Sequence, residues 1–89
     1  MDVQYRKTFL KDLKKLKGQS TYDRIVELTF STLPEADSLQ KIPNIKAMRG
    51  FSNRYRIRVG DYRVGIEVYG KKVEVMRVLH RREFYRYFP

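Results

Sequence analysis

The chain offers few groups for chemistry, and most of them are cationic. It contains no cysteine and one histidine, His80, so it can form no disulfide or thiolate site and has too few ligands for a zinc centre. His80 is the one side chain whose ordinary pKa lies near neutrality. It heads the run His80-Arg81-Arg82-Glu83-Phe84-Tyr85-Arg86, which places a titratable ring beside guanidinium groups and a phenol. A second cationic stretch, R-Y-R-I-R-V-G-D-Y-R-V-G-I-E-V, spans Arg54 to Val68.

That second stretch alternates on both sides of Gly60-Asp61. Tyr55, Ile57, Val59, Tyr62, Val64, Ile66 and Val68 form one set, and Arg54, Arg56, Arg58, Arg63, Gly65 and Glu67 form the other. Period-two alternation around a turn dipeptide predicts a β-hairpin. A two-residue loop sets Arg58 opposite Arg63, Arg56 opposite Gly65 and Arg54 opposite Glu67. Opposed like charges cost a few tenths to ~1 kcal/mol, and a polyanion bound on that face would turn the repulsion into a binding site. Gly65 reads as a gap opposite Arg56 through which substrate could approach.

The elements that must carry these residues follow from pattern. Eighty-nine residues make one domain, residues 1–89, with a single small core. Val3–Tyr5 read as a short first strand. Phe9, Leu10, Leu13 and Leu16 mark one helix, with Gly18 as its C-cap. Tyr22, Ile25, Val26, Thr29, Phe30 and Leu33 mark a second helix, stopped by Pro34. The run P-E-A-D-S-L-Q-K-I-P is a loop, and Ile45 and Ala47 suit a short strand before Arg49-Gly50. After the hairpin and a turn near Gly70-Lys71, V-E-V-M-R-V-L-H is apolar on both faces, as in a covered central strand. A bulge there would keep Arg77 off the core, and the pattern leaves the register of this strand open. The basic, aromatic tail suits a final turn of helix. The expected class is α+β: two N-terminal antiparallel helices on one face of a mostly antiparallel sheet of four to five strands, the other face left to the arginines.

Charge narrows the partners. The net charge is +10, a field that attracts nucleic acid, anionic membrane or an acidic protein. Residues 49–89 hold eleven Lys/Arg against four Asp/Glu, and nine of the eleven are arginine; residues 1–48 hold nine against six, and seven of those nine are lysine. Arginine's planar fork suits phosphate, so the second half is the better candidate for specific anion contact. Neither helix has a basic face with a helix-turn-helix signature, which argues against a DNA reader. Acidic residues on the polar helix faces (Asp12, Asp23, Glu27) argue against a membrane-surface helix. No apolar run is long enough to span a bilayer and the N-terminus lacks a signal-peptide core, so a soluble cytoplasmic protein is expected.

Taken in order, M-R-G, R-Y-R-I-R-V-G-D-Y-R and H-R-R-E-F-Y-R resemble the toxins of the RelE family, within the RelE/ParE superfamily of toxin–antitoxin systems. The resemblance spans nearly the whole chain. It implies a RelE-like fold of the microbial ribonuclease kind and a toxin that cleaves messenger RNA in the ribosomal decoding site without a metal or cofactor. It also implies a cognate antitoxin, with the ribosome and mRNA as the other partners. In the implied reaction the ribose 2′-OH attacks its own 3′ phosphate, leaving a 2′,3′-cyclic phosphate and a 5′-OH. By resemblance Arg63 stabilises charge on the phosphate, Arg81 acts as acid or charge stabiliser, and Tyr85 stacks on a base or orients the 2′-OH, with Tyr87 as the alternative tyrosine. Arg54, Arg56, Arg58, Arg82 and Arg86 are the expected RNA- or ribosome-contacting set.

Arg56 and Arg58 stand where relatives often have lysine. A lysine with a lowered pKa can accept a proton; an arginine essentially cannot. The base or proton relay is then His80, or Glu67 or Glu83, whose simpler role is pairing with neighbouring arginines, or a group of the ribosome complex itself. Two other readings remain: a ParE-like toxin that poisons DNA gyrase on the same scaffold, and a non-catalytic RNA- or ribosome-binding module.

Overall fold

In the computed structural model, which describes residues 1–89, the chain lays down one strand, then helices, then the rest of its sheet. Strand β1 (Asp2–Tyr5) is followed by helix α1 (Lys7–Lys14). A longer helical rod comprises α2 (Tyr22–Glu27), a π-helical turn at Leu28–Thr32 and α3 (Leu33–Glu35). A 3₁₀ turn at Leu39–Lys41 leads to β2 (Ile45–Ala47), β3 (Arg54–Val59), β4 (Tyr62–Tyr69) and β5 (Lys72–His80), and the chain closes with α4 (Arg81–Tyr87).

The strands form one sheet in the order β1-β5-β4-β3-β2. Three pairings are antiparallel, but β1 runs parallel to β5, so the sheet is mixed. The α+β class holds. The finer expectation changes in two ways: the sheet carries a parallel pair, and helices lie in the middle of the chain and at its C-terminus. No helix is long and apolar enough to cross a membrane.

Local physics accounts for the irregular helix. Pro34 has no N–H, and in a regular α-turn its ring would collide with the Phe30 carbonyl four residues back. The turn just upstream widens to π geometry instead of ending, and the Thr29 hydroxyl donates to the Ile25 carbonyl at 2.8 Å. Helix continues for one residue past the proline. Phe9, Leu13, Ile25, Leu28 and Leu33 from these helices bury against Ile57, Val59, Val64, Ile66, Val73, Val75 and Val78 of the sheet. Each such side chain contributes ~1.5–3 kcal/mol of transfer free energy.

β1 pairs only with the first half of β5, as far as Val75. Beyond that the edge of β5 would face water, and α1 closes it: the Thr8 hydroxyl donates to the Met76 carbonyl at 2.9 Å, and the Val78 N–H donates to Asp12 at 3.2 Å. Asp12, buried, also takes a two-pronged bond from Arg77, at 2.7 and 3.1 Å. The bulge expected in β5 is present, because Gly65 pairs with Arg77 while Ile66 pairs with Val75. Met76 is the extra residue, and it and Arg77 thereby leave the main core.

The second face of the sheet is not left bare. Met48, Met76, Phe84 and Phe88 form a small second core there, beneath α4. Phe88 is 2% exposed. A Cβ added at Gly65 would meet its ring at 2.8 Å. The space expected at Gly65 for an approaching substrate is thus filled by the chain's own C-terminal tail.

Candidate active site

The Gly60-Asp61 turn assembles the site. Gly60 takes φ +59°, as the first residue of a II′ hairpin turn requires. The strands leave it in the predicted register, with Arg58 opposite Arg63, Arg56 opposite Gly65 and Arg54 opposite Glu67. The Arg63 guanidinium folds back to donate to the Gly60 and Tyr62 carbonyls at 3.0 and 3.1 Å. From the other side, the Asp61 carbonyl accepts the Arg81 N–H at 2.7 Å, and the Asp61 carboxylate lies 3.6 Å from the Arg81 side chain. One turn therefore fixes both arginines. Asp61 was not singled out from sequence, and its position two residues before Arg63 at the hairpin tip is the signal that could have found it.

Around Arg63 the charges are of one sign. Partial burial, then the neighbouring charge of Arg56, pulls its guanidinium below the ordinary arginine range; Tyr85 opposes the shift, and Arg58 and Arg81 add to it. Arg56, Arg58 and Arg63 form no ion pair with any carboxylate of the chain. Such a cluster lowers its own repulsion by taking an anion.

Helix α4 decides which tyrosine joins it. Phe84 is the buried residue of the helix. Arg81 and Tyr85, four apart, share one flank, whereas Glu83 and Tyr87 share the other. Tyr85, 58% exposed, faces the hollow that holds Arg56. Tyr87 instead lies against Arg77, 5.7 Å from guanidinium carbon to ring centre. Arg82 and Arg86 are exposed, on the helix face opposite Phe84, and stand away from the cluster.

Two expected participants have other work. Arg54 donates to the buried Glu67 at 2.7 Å, and its guanidinium lies over the rings of Phe51 and Phe88, at 5.2 and 5.9 Å. Its charge is used to hold the tail. His80 is the N-cap of α4: its Nδ1 accepts the Arg82 N–H at 3.1 Å, and its ring sits edge-on to Tyr62. With Nδ1 accepting, the neutral ring carries its proton on Nε2, which then donates and does not accept. Asp61 is the carboxylate that reaches the cluster, 3.6 Å from Arg81, and Glu67 and Glu83 do not. Glu67 is held by Arg54 and Tyr69, and Glu83 lies on the far flank of α4. Lys46 and the Arg49 of M-R-G, neither among the expected RNA contacts, line the same hollow as Arg56 and Tyr85. No group of three or more histidine or acidic side chains is placed to hold a metal ion.

The chain thus carries an arginine cluster near a hairpin tip, beside a short C-terminal helix on a five-stranded α+β sheet. The family described as ParE toxin of type II toxin-antitoxin system, parDE, matches residues 3–85. Toxin RelE3 of Methanocaldococcus jannaschii is 43% identical over 90 residues, covering 100% of both chains. The crystal structure of the RelB-RelE antitoxin-toxin complex from Methanococcus jannaschii superposes with a TM-score of 0.77 at 41% identity, covering 96% of this chain and 98% of that one. The toxin-antitoxin complex RelBE2 from Mycobacterium tuberculosis gives 0.67 at 26% identity, covering 90% and 96%. The E. coli DinJ-YafQ complex shares the fold, with a TM-score of 0.75 at 15% identity over 94% and 97%. The chain belongs to the RelE family of toxins of type II toxin–antitoxin systems, within the RelE/ParE superfamily.

Proposed function

We propose that this protein is a metal-free endoribonuclease that cleaves messenger RNA in the ribosomal decoding site and is held inactive by a cognate antitoxin. One observation carries the reading: Arg56, Arg58, Arg63, Arg81 and Tyr85 converge at one exposed end of the hairpin, and Arg56, Arg58 and Arg63 have no carboxylate partner. In the reaction the ribose 2′-OH loses its proton and its oxygen bonds to the adjacent phosphorus. The P–O5′ bond breaks, leaving a 2′,3′-cyclic phosphate, and the departing oxygen takes a proton to become a 5′-OH. Arg63, already oriented by the turn carbonyls, stabilises the phosphorane at no reorganisation cost. Arg81 balances charge on the leaving oxygen, and Tyr85 stacks on a base or orients the 2′-OH.

The base is the open position. Arg56 and Arg58 cannot serve, Glu67 and Glu83 lie elsewhere, the Asp61 carboxylate is paired with Arg81 at 3.6 Å, and His80 uses its lone pair to cap α4. We therefore assign His80 a positioning role and leave proton acceptance to groups the ribosome and message bring to the site, which makes cleavage dependent on translation. In an assay on ribosomes programmed with a defined message, the wild type generates 2′,3′-cyclic phosphate ends. Stable ribosome binding with intact message would instead select the non-catalytic module.

The match to the ParE toxin family favours a second reading, a gyrase poison on the same scaffold. It is selected if the Arg63→Ala/Arg81→Ala variant stays fully toxic.

A further inference from the structure

One strand outward from Arg56, the sheet register places Lys46 of β2 opposite it. Arg49 follows in the turn after β2, and both side chains are exposed. Lys46, Arg49 and Arg56 share a hollow of about 520 Å³ with Ala47, Met48 and Tyr85, within the ~300–1,000 Å³ of ligand sites. No acidic residue lines it, and none of the three cations has an ion-pair partner. Three like charges about one concavity, walled by a tyrosine ring, suit a phosphate with a base beside it. Neighbouring strands lie ~4.8 Å apart, so Lys46 stands ~10 Å across the sheet from the strand that carries Arg63. That separation puts the Lys46 side of the hollow beyond the reacting phosphate, with Arg56 and Tyr85 between them.

We propose that Lys46 and Arg49 form a second phosphate site, which holds an RNA phosphate other than the one cleaved and so sets the direction in which the strand leaves the arginine cluster. This rests on the RNA-cleaving reading and adds residues to it. Two sources share the chemistry, the substrate strand and ribosomal RNA.

The wild type and a Lys46→Ala/Arg49→Ala variant are compared on two probes. One is a message-derived oligoribonucleotide with a 2′-deoxy residue at the cleaved position; the other is ribosomes programmed with that message. Both substituted side chains are exposed, so thermal melting should match the wild type. The variant should bind the oligonucleotide about ten-fold more weakly. Its plot of log K against log salt should flatten by ~0.7 for each phosphate that is no longer neutralised. Lys46→Arg in the Arg49 background should bind as the wild type does. A loss confined to programmed ribosomes keeps the site and assigns its phosphate to ribosomal RNA. Unchanged affinity and salt slope on both probes overturn the site while leaving the cleavage reading intact. A wild type that binds neither probe overturns both.

Discussion

Arg63 donates to two carbonyls of its own turn and lies in the field of Arg56, Arg58, Arg81 and Tyr85, with no ion pair of its own. If it stabilises the phosphorane, Arg63→Ala should slow cleavage of ribosome-bound message by about 10²–10³ fold, measured in single turnovers, with little change in melting temperature. His80 separates from it by a different test. Asparagine is a good N-cap and cannot act as a base, so His80→Asn should retain cleavage within a few fold of wild type. His80→Ala should lose ~1 kcal/mol of stability through the missing cap. Abolished cleavage in a normally folded His80→Asn variant would make the imidazole the base after all. Glu67 gives a pH prediction. Hydrogen bonds from Tyr69 and then Arg54 hold its carboxyl below the ordinary glutamate range, burial opposing them in part. A depressed acid contributes stability above its unfolded pKa and loses it as pH falls through the folded value. Thermal melts of the wild type should therefore lose stability below about pH 4.3 more steeply than those of Glu67→Gln.

At the scale of elements, two side-chain clamps hold the site's parts together. Asp12 ties α1 to the open half of β5 through Arg77 and the Val78 N–H. Asp12→Ala leaves a partly buried guanidinium and a backbone donor without their acceptor, and should cost ~3 kcal/mol by denaturant unfolding. Phe88 in the Gly65 slot ties the tail to β4. Gly65→Ala should destabilise by ~1–3 kcal/mol, yet cost much less in a Phe88→Ala background, and a double-mutant cycle measures that coupling. These clamps also show what the sequence could and could not reveal. The hairpin register was legible because a Gly-led two-residue turn and strict alternation leave one solution. The bulge in β5 was legible only as a need, since Arg77 required an exit from a largely apolar run, and pattern alone left its register open. The docking of α4 on the arginine face was not, since Phe84, Phe88, Met48 and Met76 are scattered in sequence and become one cluster only when the strands pair. The parallel pairing of β1 was hidden for the same reason, four residues being too few to show a partner.

For the whole molecule, the arginine-rich second half becomes β3, β4, β5 and α4, and four of its arginines, Arg56, Arg58, Arg63 and Arg81, form the cluster beside the hairpin turn. The members of the site that sequence pattern and family resemblance supplied, Arg56, Arg58, Arg63, Arg81 and Tyr85, are brought together. Arg54 and His80 are turned to structural tasks by partners, Phe88 and the Arg82 N–H, that no local pattern announces. On the proposed reading, a cationic cluster with no free base of its own leaves proton acceptance to the ribosome and message. The most direct test is to map new 5′-hydroxyl ends in cellular messages after brief induction, with translation running and with initiation blocked. The expected result is ends inside translated codons, which vanish when initiation is blocked and in the Arg63→Ala strain. Toxicity with no new ends, or ends that persist without translation, would contradict it.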